Sequence, residues 1–338
     1  MNVLQRIAAV LALGLLLGAC SSGVDDPQEP PLVPIPAGFP KLPVPADNQL
    51  TAERIELGKK LFFDKRLSST SQVACASCHL QEHAFADPLR VSVGVHGRTG
   101  TRNAPMIANM AYNTSFFWDG GVPTLEQQVI APIINPLEMD MKMEDVANRL
   151  KEDAAYVDLF RRAYDMEPAP EGITKAIASF MRTLISGNSR FDKYQRGDKS
   201  AMNESEKRGM ELFNGERAEC FHCHVGFNFT NNNIQNNGMY LDGPDMGRYL
   251  VTENPIDIGL FKVPSLRNIA VTAPYMHDGS LATLEDVVEH YVSGGKGHPN
   301  TDPLIRPLDL TPQEKADLVA FLKALTDEEF LTNPKYKE

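Results

Sequence analysis

Apolar residues recur along most of the chain at the spacing of one helix face. Between residues 173 and 184 they stand three or four positions apart and stop before Gly187, which predicts a helix with one buried face. Thr311-Pro312-Gln313-Glu314 combines a capping box with proline in the first turn and predicts another helix start. The buried stripe predicted for that helix is Leu318, Phe321, Leu322 and Leu325. Sustained alternation typical of strands does not occur, so the fold is predicted to be mainly α.

The pattern of elements repeats once along the chain. One constant shift pairs Pro105 with Pro264, Asn109 with Asn268, Asp119-Gly120 with Asp278-Gly279, and Thr124-Leu125-Glu126 with Thr283-Leu284-Glu285. The repeat predicts two domains related by internal duplication, 49–195 and 196–330, and a tail at 331–338. The copies differ where Trp118, the only tryptophan, stands opposite His277. We therefore expect the two domains to have different tasks.

The N-terminus indicates export. Arg6 precedes an apolar run that is too short to span a membrane, so residues 1–19 are predicted to be a lipoprotein signal peptide. Leu17-Gly18-Ala19-Cys20 resembles a bacterial lipobox, which would make Cys20 the lipidated first residue; an ordinary signal peptide with an incidental cysteine is the alternative. Ser21 and Ser22, and no aspartate, directly follow Cys20. This favours a periplasmic protein that is anchored to the outer membrane of a Gram-negative cell. The proline-rich segment 20–48 predicts an extended, lipidated tether.

Charge narrows the range of partners. The 338 residues carry a net charge of −11 and are 42% hydrophobic and 23% charged, which is typical of a globular protein. This balance argues against nucleic acid and anionic lipid as main partners, whereas a small basic protein is compatible with it. Membrane contact is expected only through the lipid anchor.

The other four cysteines form two Cys-x-x-Cys-His motifs, Cys75 to His79 and Cys220 to His224. In this motif two thiols attach covalently to haem and the histidine supplies the proximal iron ligand. Zinc is the alternative, but a zinc site would need all four ligands to converge, and each motif here belongs to its own repeat. The sequence thus predicts two cytochrome c-like domains with one covalent c-type haem each, attached through Cys75 and Cys78 and through Cys220 and Cys223. His79 and His224 are the predicted proximal ligands.

Four further strings resemble the bacterial di-haem cytochrome c peroxidase and MauG family. They are Phe117-Trp118-Asp119-Gly120, Asn135-Pro136-Leu137-Glu138-Met139, Phe261-Lys262-Val263-Pro264-Ser265-Leu266-Arg267-Asn268 and Ala273-Pro274-Tyr275-Met276-His277-Asp278-Gly279. The resemblance covers about residues 50–327. It implies an N-terminal peroxidatic haem, a C-terminal electron-transfer haem and a calcium ion between the domains. The implied calcium ligands are Asn103 and the carbonyl groups of Thr272 and Pro274.

Splitting the O–O bond of peroxide requires a group that moves a proton from one oxygen to the other, and a carboxylate can do so. Glu138 matches the catalytic glutamate of the family and Gln128 its polar partner; the alternatives are a surface acid and a solvated helix residue. Glu126 recurs as Glu285 in the other copy, which indicates a role at the helix start. Trp118 matches the tryptophan between the two haems and is expected to relay electrons, to pack the domain interface, or both.

The distal iron ligands are less well fixed by the sequence. In family members that need reductive activation, a loop histidine binds the peroxidatic iron at rest. When the residues between His79 and Trp118 are counted without gaps, the matching position is Val95, and His96 is its neighbour. We therefore expect an open iron face, and we expect His83 to be of local structural importance only. At the second haem the matching position is Tyr291, as in MauG, where peroxidases have methionine. Met276 and His290 are the fallback ligands.

Three functions follow from the resemblance. The first is a haem peroxidase that reduces hydrogen peroxide with electrons from a small donor protein, such as a cytochrome c or a copper protein. The second is a MauG-like enzyme that uses peroxide to oxidise side chains of a partner protein, and Tyr291 and the open site favour it. The third is an electron carrier without turnover. Glu138 argues against the third, because a carrier needs no acid beside an open iron face.

Overall fold

The computed structural model describes residues 31–338. The predicted signal peptide 1–19, Cys20 and the first part of the tether lie outside the described residues. Twelve α-helices are present in the described part: α1 Ala52–Phe63, α2 Cys75–Cys78, α3 Leu125–Ile134, α4 Met143–Lys151, α5 Ala154–Tyr164, α6 Pro170–Arg182, α7 Arg190–Gln195, α8 Glu204–Phe213, α9 Tyr249–Thr252, α10 Leu284–Ser293, α11 Pro312–Ala324 and α12 Glu328–Thr332. Two strands, β1 Ile234–Gln235 and β2 Phe261–Lys262, pair antiparallel. The mainly α class is confirmed.

Helix starts follow the side chains that the sequence indicated. Thr124, Thr283 and Thr311 each accept a hydrogen bond from a backbone N–H in the first turn of α3, α10 and α11. Capping boxes complete the starts of α10 and α11. The predicted stripe of α11 is buried in full.

Two hydrophobic clusters form the core. The first is built mainly by α1, α3, α4, α5 and α6, and the second by α8, α10 and α11. Each cluster contains one close helix pair. A Cβ atom at Gly58 of α1 would lie 1.8 Å from the carbonyl oxygen of Ala176, and one at Gly209 of α8 would lie 1.9 Å from that of Asp317. Glycine is therefore required at both contacts.

A buried polar network joins the two clusters. Asn109 and Asn268 both adopt left-handed backbone conformations. The Asn109 side chain accepts from the N–H of Ser186 at 2.9 Å, and the Asn268 side chain accepts from the N–H of Asp327 at 2.8 Å. The Ser186 hydroxyl in turn accepts from the Asn268 amide at 2.9 Å. Asn109 and Asn268, which the sequence repeat pairs, thus make equivalent backbone contacts. The internal duplication and the domain limits at 49–195 and 196–330 stay predictions.

Residues 32–48 are extended, but they pack against the body of the protein instead of hanging free. The Phe39 ring lies 4.6 Å from that of Phe227 and 6.1 Å from that of Tyr112, and the Arg267 guanidinium lies 4.7 Å from its centre. Asn48 is fully buried. Aromatic packing thus holds this part of the predicted tether, residues 32–48, against the body of the protein; we call it the strap.

Helices of the described part, residues 31–338, are all too short or too polar to cross a bilayer.

Candidate active site

His79 is held by the loop that follows α2. Ala84 and Phe85 take left-handed conformations and turn the chain back. The carbonyl oxygen of Phe85 then accepts a 2.7 Å hydrogen bond from Nδ1 of His79. Nε2 therefore remains available as a ligand atom. Burial lowers the pKa of His79, although the Phe85 hydrogen bond opposes this, so the imidazole is kept in the neutral form that a metal ligand requires.

Cys75 and Cys78 are free thiols next to this histidine. Burial raises the pKa of Cys75 to about 12 and that of Cys78 to about 11. The turn that carries Glu138 is joined to the segment before this motif, because the backbone N–H of Ser69 donates to the Met139 carbonyl oxygen at 2.9 Å. The charge of Glu138 also adds a minor contribution to the raised pKa of both thiols. The predicted acid therefore lies in a turn that packs next to the first Cys-x-x-Cys-His motif.

Glu138 lies in the turn that ends α3. Asn135, the C-cap residue of α3, donates a 2.7 Å hydrogen bond from its side-chain amide to Oε1 of Glu138. Burial raises the pKa of Glu138, and the Asn135 hydrogen bond only partly opposes the increase. A half-buried carboxyl group with a raised pKa is suited both to accept and to return a proton.

The loop 94–98 packs directly on this turn. The backbone N–H of Val95 donates to the carbonyl oxygen of Glu138 at 2.8 Å. A Cβ atom at Gly94 would lie 2.1 Å from the Leu137 carbonyl oxygen, so only glycine fits there. Val95 is buried, whereas His96 is exposed in a left-handed conformation. This exposure leaves His96 on the outer side of the loop.

Gln128 and Glu126 differ in their surroundings. Gln128 lies two helical turns before Asn135, so both occupy the same face of α3. The Glu126 carboxylate instead accepts hydrogen bonds from Arg182 at 2.7 and 3.0 Å and from Asn48 at 2.8 Å. Glu126 therefore ties α3 to α6, and Gln128 remains the candidate for the polar pocket.

His224 repeats the arrangement of His79. Its Nδ1 donates to the Phe229 carbonyl oxygen at 3.0 Å, and burial lowers its pKa to about 4. Burial also raises the pKa of Cys220 to about 12 and raises that of Cys223. All three residues line a cavity of about 280 Å³ whose walls are mainly apolar. The cavity also reaches Trp118 in the N-terminal half.

Tyr291 and Met276 both line this cavity and share one neighbour. The side-chain amide of Asn237 lies 3.4 Å from the Tyr291 hydroxyl and 3.3 Å from the Met276 sulfur. Burial raises the pKa of Tyr291. His290 is engaged elsewhere, because its Nε2 donates to the Asn237 carbonyl oxygen at 3.0 Å. Tyr291 and Met276 are thus both placed as candidate ligands.

Trp118 connects the two halves through Asn103. Its indole N–H donates to the Asn103 carbonyl oxygen at 2.8 Å, and the Asn103 N–H donates to the His277 carbonyl oxygen at 2.8 Å. Asn103 lines the cavity together with Thr272 and Pro274. The three predicted calcium ligands therefore lie along one cavity wall.

The donor sets fit covalently bound haem. Each motif offers two thiols beside a half-buried, neutral histidine with a free Nε2, and the second motif opens on an apolar cavity. Within residues 31–338 no three histidine, cysteine, aspartate or glutamate side chains are grouped to bind a metal ion. The convergence that a zinc site would require is therefore not found in this part of the chain.

Three side chains make contacts that were not predicted from the sequence. His83 was predicted to matter only locally, but its Nδ1 donates to the Val271 carbonyl oxygen at 3.0 Å, so that prediction is wrong. The importance of Asn135 and Asn237 was also missed. The position of Asn135 directly before Pro136 could have indicated a helix end with a capping side chain, whereas nothing in the run of asparagines at 231–237 singles out Asn237.

The chain is similar to several known di-haem proteins. The family model for di-haem cytochrome c peroxidase matches residues 52–200. The chain is 40% identical to methylamine utilization protein MauG of Methylorubrum extorquens, over 92% of this chain and 89% of that protein. It is 36% identical to cytochrome-c peroxidase IdrP1 of Pseudomonas sp. strain SCT, over 96% and 92%. A crystal structure of a MauG-like protein associated with microbial copper homeostasis superposes with a TM-score of 0.85 at 38% identity, covering 89% of this chain and 97% of that one.

Proposed function

The chain belongs to the di-haem cytochrome c peroxidase family, and from this premise we propose that it reduces hydrogen peroxide to water at the haem held by Cys75, Cys78 and His79. Each turnover consumes one peroxide, two electrons and two protons and releases two waters. Electrons enter through the haem held at Cys220 and Cys223. The observation that carries the proposal is the half-buried carboxyl group of Glu138, which Asn135 orients in a turn that packs on the segment before the first motif.

When bound, the haem iron supplies a site for peroxide and exchanges electrons with it. Glu138, as carboxylate, accepts the proton from one peroxide oxygen and then delivers it to the other, which leaves as water. Asn135 holds the carboxyl group in one orientation. Gln128 adds a polar group on the same face of α3.

We assign an open peroxide-binding face to the first haem. The docking of Val95 on Glu138 and the exposure of His96 support this assignment, because neither side chain offers a nitrogen ligand in the interior. His224 would bind the iron of the second haem, together with Tyr291 or, as the alternative, Met276. A small protein such as a cytochrome c or a copper protein is the proposed electron donor.

Trp118 is assigned the relay between the two sites, since it lines the second cavity and belongs to the first half of the chain. Asn103 and the carbonyl groups of Thr272 and Pro274 are assigned one calcium ion, because oxygen donors suit a hard cation. The bond from Trp118 to Asn103 would then couple the relay to the ion.

A second function, oxidation of side chains in a partner protein, is favoured by one observation. Tyr291 lines the cavity of the second motif, and the resemblance places tyrosine there in MauG. A phenolate ligand favours ferric iron and disfavours simple electron entry at high potential. We keep this function as the alternative.

We further propose that the chain is exported and held in the periplasm by lipid at Cys20.

Steady-state turnover with peroxide and reduced cytochrome c tests the proposal. We expect the wild type to turn over and Glu138→Gln to lose roughly 10²–10⁴-fold in kcat/KM for peroxide, the usual contribution of a positioned acid–base group. Glu144→Gln, a matched change at an exposed position of α4, should be unaffected. Equal rates for all three proteins would contradict the role of Glu138. Absence of cytochrome c turnover, with peroxide-dependent oxidation of a partner protein, would favour the second function.

A further inference from the structure

One lysine lines the cavity of the second haem motif. Lys262 is the last residue of β2, and its backbone N–H donates to the Trp118 carbonyl oxygen at 2.6 Å. Its neighbour Phe261 stacks on the ring of His277 at 3.8 Å, which fixes the strand on the cavity wall. The side chain of Lys262 is half-buried and forms part of the same wall as Cys220 and His224.

The ammonium group of Lys262 has no counterion within the described part of the chain. Within residues 31–338 no carboxylate oxygen lies within 4.0 Å of its nitrogen, and no side-chain hydrogen bond satisfies it. Two acids line the same cavity, but neither pairs with Lys262. Glu219 binds Arg306 through Oε1, while its Oε2 is buried without a hydrogen-bond partner, and Asp302 accepts from Gln235 at 2.8 Å. The other partly buried cations near the cavity are paired, as Arg267 is with Asp192 at 2.9 Å.

An unpaired cation in apolar surroundings is costly, and proteins normally compensate it with an anion. Burial lowers the pKa of Lys262 to about 8, which shows how poorly the protein alone stabilises its charge. The group that the cavity is built to hold can supply the anion, because haem carries two propionate carboxylates.

We infer that the ammonium group of Lys262 pairs with a carboxylate of the haem attached at Cys220 and Cys223 and raises the reduction potential of that haem. The inference rests on the proposed function in one respect, namely that this cavity holds a haem. It assigns Lys262 a binding contact and an electrostatic role that the haem-attachment residues do not provide.

The electrostatic role follows from the charge that haem gains on reduction. A fixed positive charge stabilises the form with one more electron, so it shifts the midpoint potential upwards. The effect matters most if Tyr291 is the distal ligand, since an anionic phenolate shifts the potential downwards. Lys262 would then keep this haem reducible by a small donor protein despite Tyr291.

The test uses the full-length protein loaded with both haems. Spectroelectrochemical titration gives two midpoint potentials for the wild type, Lys262→Met, Lys262→Arg and Lys323→Met. The last variant removes the same charge from an exposed position of α11 and serves as the matched control. Haem content, measured as two haems per chain, establishes that each variant is intact.

We expect Lys262→Met to lower one midpoint potential and leave the other unchanged. Lys262→Arg should retain most of the wild-type value, and Lys323→Met should leave both potentials unchanged. Potentials of Lys262→Met equal to those of the wild type would overturn the inference. If Lys262→Met does not retain both haems, Lys262→Gln is judged by the same criterion.

These outcomes are separable from those of the proposed function. A wild type that binds two haems but does not turn over peroxide would contradict the peroxidase activity, while the shift in Lys262→Met would still be measured. A turnover-competent wild type whose potentials do not respond at Lys262 would contradict only the present inference.

Discussion

The side-chain amide of Asn135 donates a 2.7 Å hydrogen bond to the carboxylate of Glu138, three residues further along the chain. Asn135 ends α3, so the helix that forms part of the first core also determines where the acid points. The same turn is fixed from the other side by the N–H of Val95. The orientation of the Glu138 carboxyl group is therefore set by the amide of Asn135, and its turn is held by the backbone contact with Val95.

Removal of this amide should change the pH dependence of the enzyme. The Asn135 hydrogen bond lowers the pKa of Glu138 against the effect of burial, so Asn135→Ala should raise that pKa. Because the carboxylate is the form that accepts the peroxide proton, activity falls as pH decreases through this pKa. We expect the acid limb of kcat/KM for peroxide to move to higher pH in Asn135→Ala. Asn214→Ala, which removes an exposed amide at the end of α8, is the control, and an acid limb at the wild-type pH in Asn135→Ala would contradict the role of Asn135.

A glycine pair tests the contact between the loop 94–98 and the Glu138 turn. A Cβ atom at Gly94 would overlap the Leu137 carbonyl oxygen, whereas one at Gly100 meets no atom within 4 Å. Gly94→Ala should therefore displace the turn and lower kcat/KM for peroxide by at least tenfold, in line with the sensitivity of catalysis to displacements near 1 Å. Gly100→Ala should keep wild-type activity in the same assay. A fully active Gly94→Ala variant would show that the loop does not position Glu138.

The ion pair between Glu126 and Arg182 should make stability depend on pH. Burial alone would raise the pKa of Glu126, but the hydrogen bonds from Arg182 and Asn48 outweigh burial and lower it. A lowered pKa in the folded state stabilises the protein above the ordinary pKa of 4.5, and this contribution is lost as pH falls through the folded value. Urea denaturation between pH 7 and pH 3 should show this loss in the wild type and a smaller loss in Glu126→Gln.

Arg182→Met tests the same pair from the other partner. It leaves the Glu126 carboxylate without its cation and should cost about 3–5 kcal/mol of unfolding free energy at pH 7. Lys193→Met, at an exposed position of α7, should change the unfolding free energy little. A loss below 1 kcal/mol in Arg182→Met would indicate that the pair is relaxed in solution.

The strap at residues 32–48 should contribute to stability. Phe39 packs against the rings of Tyr112 and Phe227, so Phe39→Ala should lower the free energy of unfolding by about 2 kcal/mol. Leu32→Ala, at a residue that is 56% exposed in the same segment, is the matched control and should have little effect. Equal unfolding midpoints for both variants and the wild type would restore the interpretation of this segment as a free tether.

Much of this architecture could be predicted from the sequence because local signals determine it. Thr311 with Glu314 and the regular spacing of Leu318 and Phe321 specify a capped helix without reference to the rest of the chain. The Cys-x-x-Cys-His motifs and the resemblance likewise point to haem without structural information. Local chemistry therefore accounts for the helices and the candidate donors.

Long-range contacts could not be read in this way. Contacts between distant segments determine the path of Phe39 over Phe227 and the bond from His83 to Val271. They also determine that Lys262 finds no counterion within residues 31–338. The proline-rich composition predicts an extended tether; residues 32–48 contain neither helix nor strand but pack on the body of the protein, which the composition did not indicate. The amide of Asn237 between Tyr291 and Met276 is likewise a property of the fold.

The most direct test of an open, peroxide-reactive first haem is electron paramagnetic resonance of the ferric, fully loaded protein before and after one equivalent of peroxide. We predict one high-spin and one low-spin haem in the ferric protein. The high-spin signal should disappear rapidly with peroxide in the wild type and slowly in Glu138→Gln. Two low-spin haems that react only after partial reduction would contradict the open face. They would instead place a histidine of the 94–98 loop on the iron at rest.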